Sequence, residues 1–265
     1  MTDWLALCRA AVEDVRGVLA ELPLRSDREP VVGSGKGGDD TTAIDAAAER
    51  VILARFAGLD GLTIVSEEVG TIGDGETFVV IDPIDGSLNA KRGIGFFALS
   101  IAVASGPTMG DVDFGFVHDF GTEEEGTATR GEGARLDGSP REGELPKEEI
   151  EILAFEATRT ASVAEKAAAV VDLAYRLRIM GSLALSLCHL AAGRIDAVCS
   201  LKPARAVDIA AAQLLVLERG LAIDLPDAPP PFAAAPLDVE GRSRVVAAGT
   251  PQLCRQLACA LELDR

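Results

Sequence analysis

The sequence predicts an α/β fold made of two stacked layers. Helix and strand patterns alternate through the second half of the chain, while the first half is rich in strands that pair among themselves. Length sets the scale: 265 residues make one large or two medium domains, at roughly 100–200 residues each. Such a chain buries roughly 70–75% of the surface it exposes when unfolded. Hydrophobic residues make up 48% but aromatic ones only 4%, so the core is built from Ala, Val, Leu and Ile.

Apolar residues recur at helical spacing from Trp4 to Leu22, through Ala11, Val15 and Val18, with Thr2 or Asp3 as N-cap. Residues 33–40, Gly-Ser-Gly-Lys-Gly-Gly-Asp-Asp, read as a flexible polar loop. A second amphipathic helix follows, with Ile44, Ala48, Ile52 and Phe56 on one face. Leu62–Ser66 and Phe78–Ile81 read as buried strands, Phe96–Ala104 as a longer one, and Asp113–Val117 alternates with period two. Residues 121–149 are rich in Gly, Glu and Pro, with turn signals at Asp137-Gly138 and Ser139-Pro140. They predict a closing hairpin and then a boundary, dividing the chain into an N-terminal α+β domain (1–145) and a C-terminal α/β domain (146–265).

Beyond it, Ile150–Phe155 reads as a strand, Val163–Leu177 as a helix, and Leu183–Ala192 as a helix ended by Gly193. Ile195–Leu201 is a strand and Val207–Glu218 a helix ended by Gly220, followed by a short strand at Leu221–Asp224. Residues 226–236 form a Pro-rich loop, and Arg244–Ala248 a strand. Thr250-Pro251 opens the last helix, since Thr accepts at the N-cap and Pro suits the first turn.

Asp and Glu total 42 against 25 Lys and Arg, a formal charge of −17. That excess argues against a nucleic-acid reader, which needs a positive field to displace counterions from phosphates. A phosphorylated substrate would face the same field, and a bound metal is the natural remedy. The longest apolar run, Ile94 to Ala104, is about half of a ~20-residue membrane span. Five scattered cysteines without a C-x-x-C pair, and only two histidines, His118 and His189, make zinc and a disulfide framework poor readings. With no export signal at the start, the expectation is a cytoplasmic protein. The acidic, Lys-poor composition suits high salt, while a GC-rich genome also favours Arg and Ala.

The chemistry concentrates in Val79-Val80-Ile81-Asp82-Pro83-Ile84-Asp85-Gly86-Ser87-Leu88-Asn89. A buried strand ends there in two carboxylates three residues apart. Pro83 fixes the backbone and Gly86 permits a tight turn, so both carboxylates converge while the Ile84 carbonyl faces outward. Such hard oxygen donors suit Mg²⁺ rather than zinc, and the Gly86 and Ser87 amides at a helix start offer an anion site. The bland alternative is a strand exit with Asp as a cap. Ser66-Glu67-Glu68 also ends an apolar strand, where charge is costly unless it binds something. Asp45 and Asp208 each begin a helix, with an N-cap role as the competing reading. Together these acids form a cluster drawn from both halves.

These segments resemble the inositol monophosphatase superfamily of Mg²⁺-dependent, lithium-sensitive sugar and inositol phosphatases. The resemblance rests on IDPIDGSLNAKRGIGFFALSIA at 81–102, Asp45 with its helix, Glu67-Glu68, MGSLALSLCHLAAGRIDAV at 180–198 and ARAVDIAAAQLLVLERG at 204–220. Ser87 stands where the family usually has Thr, and Val207 where many members have Trp. The A-R-A-V-D-I-A-A and N-A-K-R-G-I tracts look more like the archaeal branch, which acts on both inositol 1-phosphate and fructose 1,6-bisphosphate. An acid that helps select inositol in the animal enzymes is absent near Leu201-Lys202.

The resemblance implies an αβαβα sandwich, a homodimer, and hydrolysis by in-line attack of metal-activated water. It implies one Mg²⁺ on Glu67, Asp82 and the Ile84 carbonyl, a second on Asp82, Asp85 and Asp208, and a weaker third on Glu67 or Asp45. Asp85, Gly86 and Ser87 would grip the phosphate, and Asp45 with Ser87 would orient and deprotonate the water. Arg178 and Lys202 are candidates for the far side of the substrate, each with a solvated-cation alternative. The rival activities are a phosphatase of 3′-phosphoadenosine 5′-phosphate or related nucleotides, and a non-catalytic partner-binding protein in RNA transcription or processing.

Overall fold

The computed structural model describes residues 2–36, 38, 40–140, 149–156 and 159–263. The expected domain boundary at 145/146 lies outside the described residues. Helix α1 (Trp4–Glu21) starts at Asp3, whose carboxylate accepts from the Ala6 amide at 3.0 Å. A four-residue turn, α2 (Arg25–Arg28), leads to a hairpin, β1 (Val31–Ser34) and β2 (Asp40–Thr42), that flanks the expected loop. Helix α3 (Ala43–Phe56) follows.

An eight-stranded sheet comes next. In chain order it contains β3 (Leu62–Ser66), β4 (Gly70–Gly73), β5 (Thr77–Asp85), β6 (Ala98–Ala104) and β7 (Val112–Asp119), then β8 (Glu125–Thr129), β9 (Gly133–Leu136) and β10 (Ser139–Pro140). Its spatial order is β10-β9-β8-β7-β6-β5-β3-β4, antiparallel except for β3 with β5. Asp137 and Gly138 both take positive φ (49° and 72°) in turning β9 into β10, the conformation that Asp-Gly pairs supply in two-residue hairpins. The short helix α4 (Ser87–Arg92) leaves this sheet at the end of β5.

The second sheet has order β12-β11-β13-β15-β14, from β11 (Ile150–Glu156), β12 (Ala174–Arg178), β13 (Ala197–Ser200), β14 (Ala222–Asp224) and β15 (Val246–Ala248). Helices α5 (Thr160–Ala167), α6 (Leu183–Ala191), α7 (Ala206–Glu218) and α8 (Pro251–Ala260) connect or cover it. The helix expected over Val163–Leu177 is thus a correction. Helix α5 ends early, and Ala174–Arg178 is an edge strand parallel to β11. The strand is mostly exposed and barely alternates in burial, so its sequence carries little period-two signal.

Alternation along β5 sorts the core into layers. Val79 and Ile81 face α1 and α3, packing with Cys8, Val15, Ile52 and Phe56. Val80, with Val65 and Val117, faces α6 and α7, where Leu187, Leu190, Ala211 and Leu215 join residues of the second sheet such as Val198. The far face of that sheet, with Leu153, Phe155 and Cys199, packs on Leu257 of α8. Helices, sheet, helices, sheet, helices: the fold is the αβαβα sandwich. Among the described residues, no helix is long and apolar enough to cross a membrane, and all five cysteines are free.

Candidate active site

Strand β5 does not stop at Ile81. It runs on to Asp85, with one extra residue between the Asp82–Ser100 and Asp85–Ala98 pairings with β6. Pro83 sits in this bulge, where its missing N–H breaks no ladder bond. The bulge turns Asp82 and Asp85 out of the alternation, and the Asp82 carboxylate accepts from the Ile84 amide at 3.1 Å. Gly86 then takes φ 92°, and a Cβ there would lie 3.0 Å from the Phe96 carbonyl oxygen and 3.1 Å from that of Gly181. Only glycine fits this turn.

Glu67 and Glu68 leave the end of β3 through a turn held from beneath by the buried Glu49 of α3. Glu49 accepts from the Ser66 hydroxyl and from the amides of Glu68 (3.1 Å) and Val69 (3.2 Å). Asp45 and Asp208 sit at the third position of α3 and α7, not at the N-cap of the competing reading. Each reaches back to the residue that precedes its helix, Asp45 to Thr42 and Asp208 to the Arg205 amide at 2.6 Å. That local bond satisfies one oxygen of Asp45 and leaves Oδ1 buried with no hydrogen-bond partner among the described residues.

These segments meet at a cleft of about 550 Å³ between the two sheets. Asp45, Glu67, Asp85, Gly86, Ser87, Lys202 and Asp208 line it, while Asp82 and the Ile84 backbone are buried directly behind. Arg178 is exposed at the end of β12, outside the lining, with its guanidinium donating to the Leu177 carbonyl. The Ser87 hydroxyl donates to the Ile84 carbonyl at 3.0 Å, so the outward face expected of that carbonyl already carries one partner. Gly86 holds the N-cap position of α4, and Ser87 is the helix's first residue.

Burial and crowding set the charges. Burial pushes the Glu67 carboxyl up to about 8; Arg205 opposes this, while Asp208 and Glu68 add to it. Asp82 is raised well above the usual carboxylate range by burial and by Glu67, Asp85 and Asp208. Burial raises Asp85 to about 6, and the Ser182 hydroxyl (2.6 Å) and the Ala184 amide (2.7 Å) keep it from rising further. His118 and His189, both lowered by burial, lie outside the cleft lining.

Three further side chains belong to the site, and none of them was read from the sequence. Arg205 donates from one nitrogen to both Glu67 and Asp208. Glu156, at the end of β11, accepts from the Gly181 amide (2.9 Å) and the Ser186 hydroxyl (2.6 Å), and burial pushes it up to about 7. Asn89 donates to the carbonyls of Met180 (2.7 Å) and Phe96 (2.8 Å), tying α4 to the turn before α6. A signal for Glu156 existed, because Ile150–Glu156 is an apolar strand ending in an acid, as β3 and β5 are.

The donor set fits a hard divalent cation: carboxylates raised by burial and then by one another, an Asp45 oxygen without a hydrogen-bond partner among the described residues, and hard oxygen ligands throughout. Among the described residues, no three His, Cys, Asp or Glu side chains stand together closely enough to hold a metal ion as they are placed. The profile of the inositol monophosphatase family matches residues 5–262. The chain belongs to the inositol monophosphatase family. It is accordingly a phosphatase, of a family that is in general metal-dependent. The fructose-1,6-bisphosphatase/inositol-1-monophosphatase of Archaeoglobus fulgidus is 33% identical over 227 residues, 82% of each chain. A solved structure of an inositol monophosphatase–fructose 1,6-bisphosphatase superposes with a TM-score of 0.85 at 28% identity, covering 98% of this chain and all of that one. The Nus factor SuhB of Escherichia coli is 35% identical over 208 residues, 72% of this chain and 74% of the relative.

Proposed function

We propose that the protein is a Mg²⁺-dependent phosphomonoesterase acting on small polyol and sugar phosphates, inositol 1-phosphate and fructose 1,6-bisphosphate among them. The observation that carries this is the convergence of Glu67, Asp82, Asp85 and Asp208 on one cleft that also holds Lys202. At about 550 Å³ the cleft falls in the range of small-ligand sites. Residues 1–145 carry the signature strand and turn, 146–265 bring Asp208 and Lys202, and the protein acts as a cytoplasmic homodimer.

Glu67, Asp82 and the Ile84 carbonyl hold one Mg²⁺ and Asp82, Asp85 and Asp208 a second, with Asp45 or Glu67 serving a weaker third. Bound Mg²⁺ supplies Lewis-acid activation of water and neutralises the phosphate charge. Asp85 is fixed for this by Ser182 and Ala184, which leave its second oxygen free to ligate. Asp45 offers its second carboxylate oxygen to the attacking water, and Ser87 lines the same cleft. Gly86 and Ser87 line the cleft where the phosphate binds, and glycine at 86 lets the turn pack against the Phe96 and Gly181 carbonyls. Lys202 faces the remainder of the substrate from the second half.

Phosphate release from inositol 1-phosphate, fructose 1,6-bisphosphate, NADP and 3′-phosphoadenosine 5′-phosphate, with and without Mg²⁺, tests the proposal. Mg²⁺-dependent release from the first two supports it, whereas release from the nucleotides alone moves the assignment to the nucleotide branch. No turnover on any of them favours the reading of a non-catalytic partner-binding protein in RNA transcription or processing, which the likeness to the Nus factor SuhB keeps open.

A further inference from the structure

Arg205 places a cation inside the acidic basin, and it spans the two halves of the chain. Its Nη2 donates to Glu67, 138 residues away at the end of β3, and to Oδ1 of Asp208 at 3.2 Å, on the first turn of α7. Its own amide donates to the other Asp208 oxygen at 2.6 Å, so side chain and backbone grip one carboxylate together. The residue is 9% exposed. A guanidinium so placed is costly to desolvate unless carboxylates surround it, and these carboxylates would otherwise repel one another. Each side therefore makes the other tolerable.

The oxygens that Arg205 engages are also those that the proposed function gives to the metal. A divalent cation and the guanidinium cannot both have Glu67 and Asp208 at full strength, because both are positive and draw on the same lone pairs. We propose that Arg205 is a resident counter-ion of the metal site, holding the carboxylates together before metal arrives and being displaced from Glu67 and Asp208 when it binds. This rests on the Mg²⁺-dependent reading of the site. It accounts for an acid cluster that is folded across two sheets around a buried guanidinium. It also makes metal affinity the difference between two cations, so the site is filled only where Mg²⁺ is abundant.

The test compares wild type, Arg205→Gln and Arg205→Lys with EDTA and with graded Mg²⁺, reading melting temperature and calorimetric Mg²⁺ binding without substrate. Arg205→Gln removes the competitor. It should melt earlier than wild type in EDTA, bind Mg²⁺ more tightly by about tenfold or more, and show a larger rise in melting temperature on adding Mg²⁺. Arg205→Lys keeps the charge without the fork and should fall between the two in both measurements, which keeps the test alive if the Gln variant does not fold without metal. Unchanged or weaker Mg²⁺ binding in Arg205→Gln, or a Lys variant that binds as loosely as wild type with no loss of stability in EDTA, would overturn the counter-ion role. Wild type that binds no Mg²⁺ at all would instead sink the functional reading beneath it.

Discussion

Replacing Glu156 by Gln should change the pH dependence of stability by an amount the structure sets. The Glu156 carboxyl is 7% exposed and burial holds it up to about 7, against an ordinary value of 4.5. Between those values the folded protein keeps a proton that the unfolded chain has released, so folding binds protons and stability falls as pH rises through the window. At about 1.4 kcal/mol per pH unit, the interval from 4.5 to about 7 corresponds to about 3 kcal/mol, fully present below pH 4.5 and lost above 7. Gln has no proton to lose. Its amide oxygen accepts from the Gly181 amide as Glu156 does, and its NH₂ donates to Ser186, whose hydroxyl turns to the Ser182 carbonyl one turn back. Glu156→Gln should therefore be close to neutral at pH 5 and stabilising by about 3 kcal/mol at pH 8, or roughly 5–10 °C in melting temperature. Urea unfolding of both proteins in EDTA at pH 5, 6, 7 and 8 measures the difference directly. Two stability curves that stay parallel within about 1 kcal/mol across that range would mean Glu156 is already ionised in the fold, and the argument from burial would fail.

Asp85→Asn and Asp208→Asn should each remove nearly all Mg²⁺-dependent phosphate release with the circular dichroism spectrum unchanged; the EDTA melt should stay level or rise for Asp85→Asn and fall for Asp208→Asn, which takes a carboxylate from the buried Arg205. The amide oxygen introduced by Asp85→Asn would still accept from Ser182 and Ala184, so wild-type turnover in either variant would exclude these carboxylates as ligands. Ser87→Ala should lower kcat by about 10²–10⁴ with little change in Mg²⁺ affinity, and Ser87→Thr should stay close to wild type. Because the Ser87 hydroxyl bonds to the Ile84 carbonyl, a drop in Mg²⁺ affinity with kcat preserved would reassign it to holding that carbonyl. Lys202→Ala should raise KM for fructose 1,6-bisphosphate more than for inositol 1-phosphate. Arg178→Ala, whose side chain lies outside the cleft lining, should shift the two alike.

Local patterns were legible where they are written in neighbouring residues. Helices α1 and α3 follow from apolar spacing, the β9–β10 turn from Asp-Gly, and the carboxylates from apolar strands that end in acids. Strand β12 escaped because an exposed edge strand needs no alternation, and Ala-Tyr-Arg-Leu-Arg after a helical stretch prolongs the helix pattern. Continuation of β5 through Pro83 escaped for a related reason: a proline ends a strand on paper, and only the bulge opposite β6 makes room for it.

Glu156 apart, the groups missed at the site, Arg205, Asn89 and the Ser182 partner of Asp85, share a cause. Asp85 is held by Ser182 across 97 residues, Arg205 holds Glu67 across 138, and Asn89 reaches Met180 across 91. No periodicity joins such pairs, because each exists only once the two sheets have stacked with α6 and α7 between them. Carboxylates at strand ends can be read as a site because burying them is costly wherever they point. The groups that make the burial tolerable cannot, since an arginine before a helix or an asparagine in one resembles any surface residue until its partner is known. Reading the function therefore required only the costly groups, whereas reading how the protein holds those groups in place required the fold.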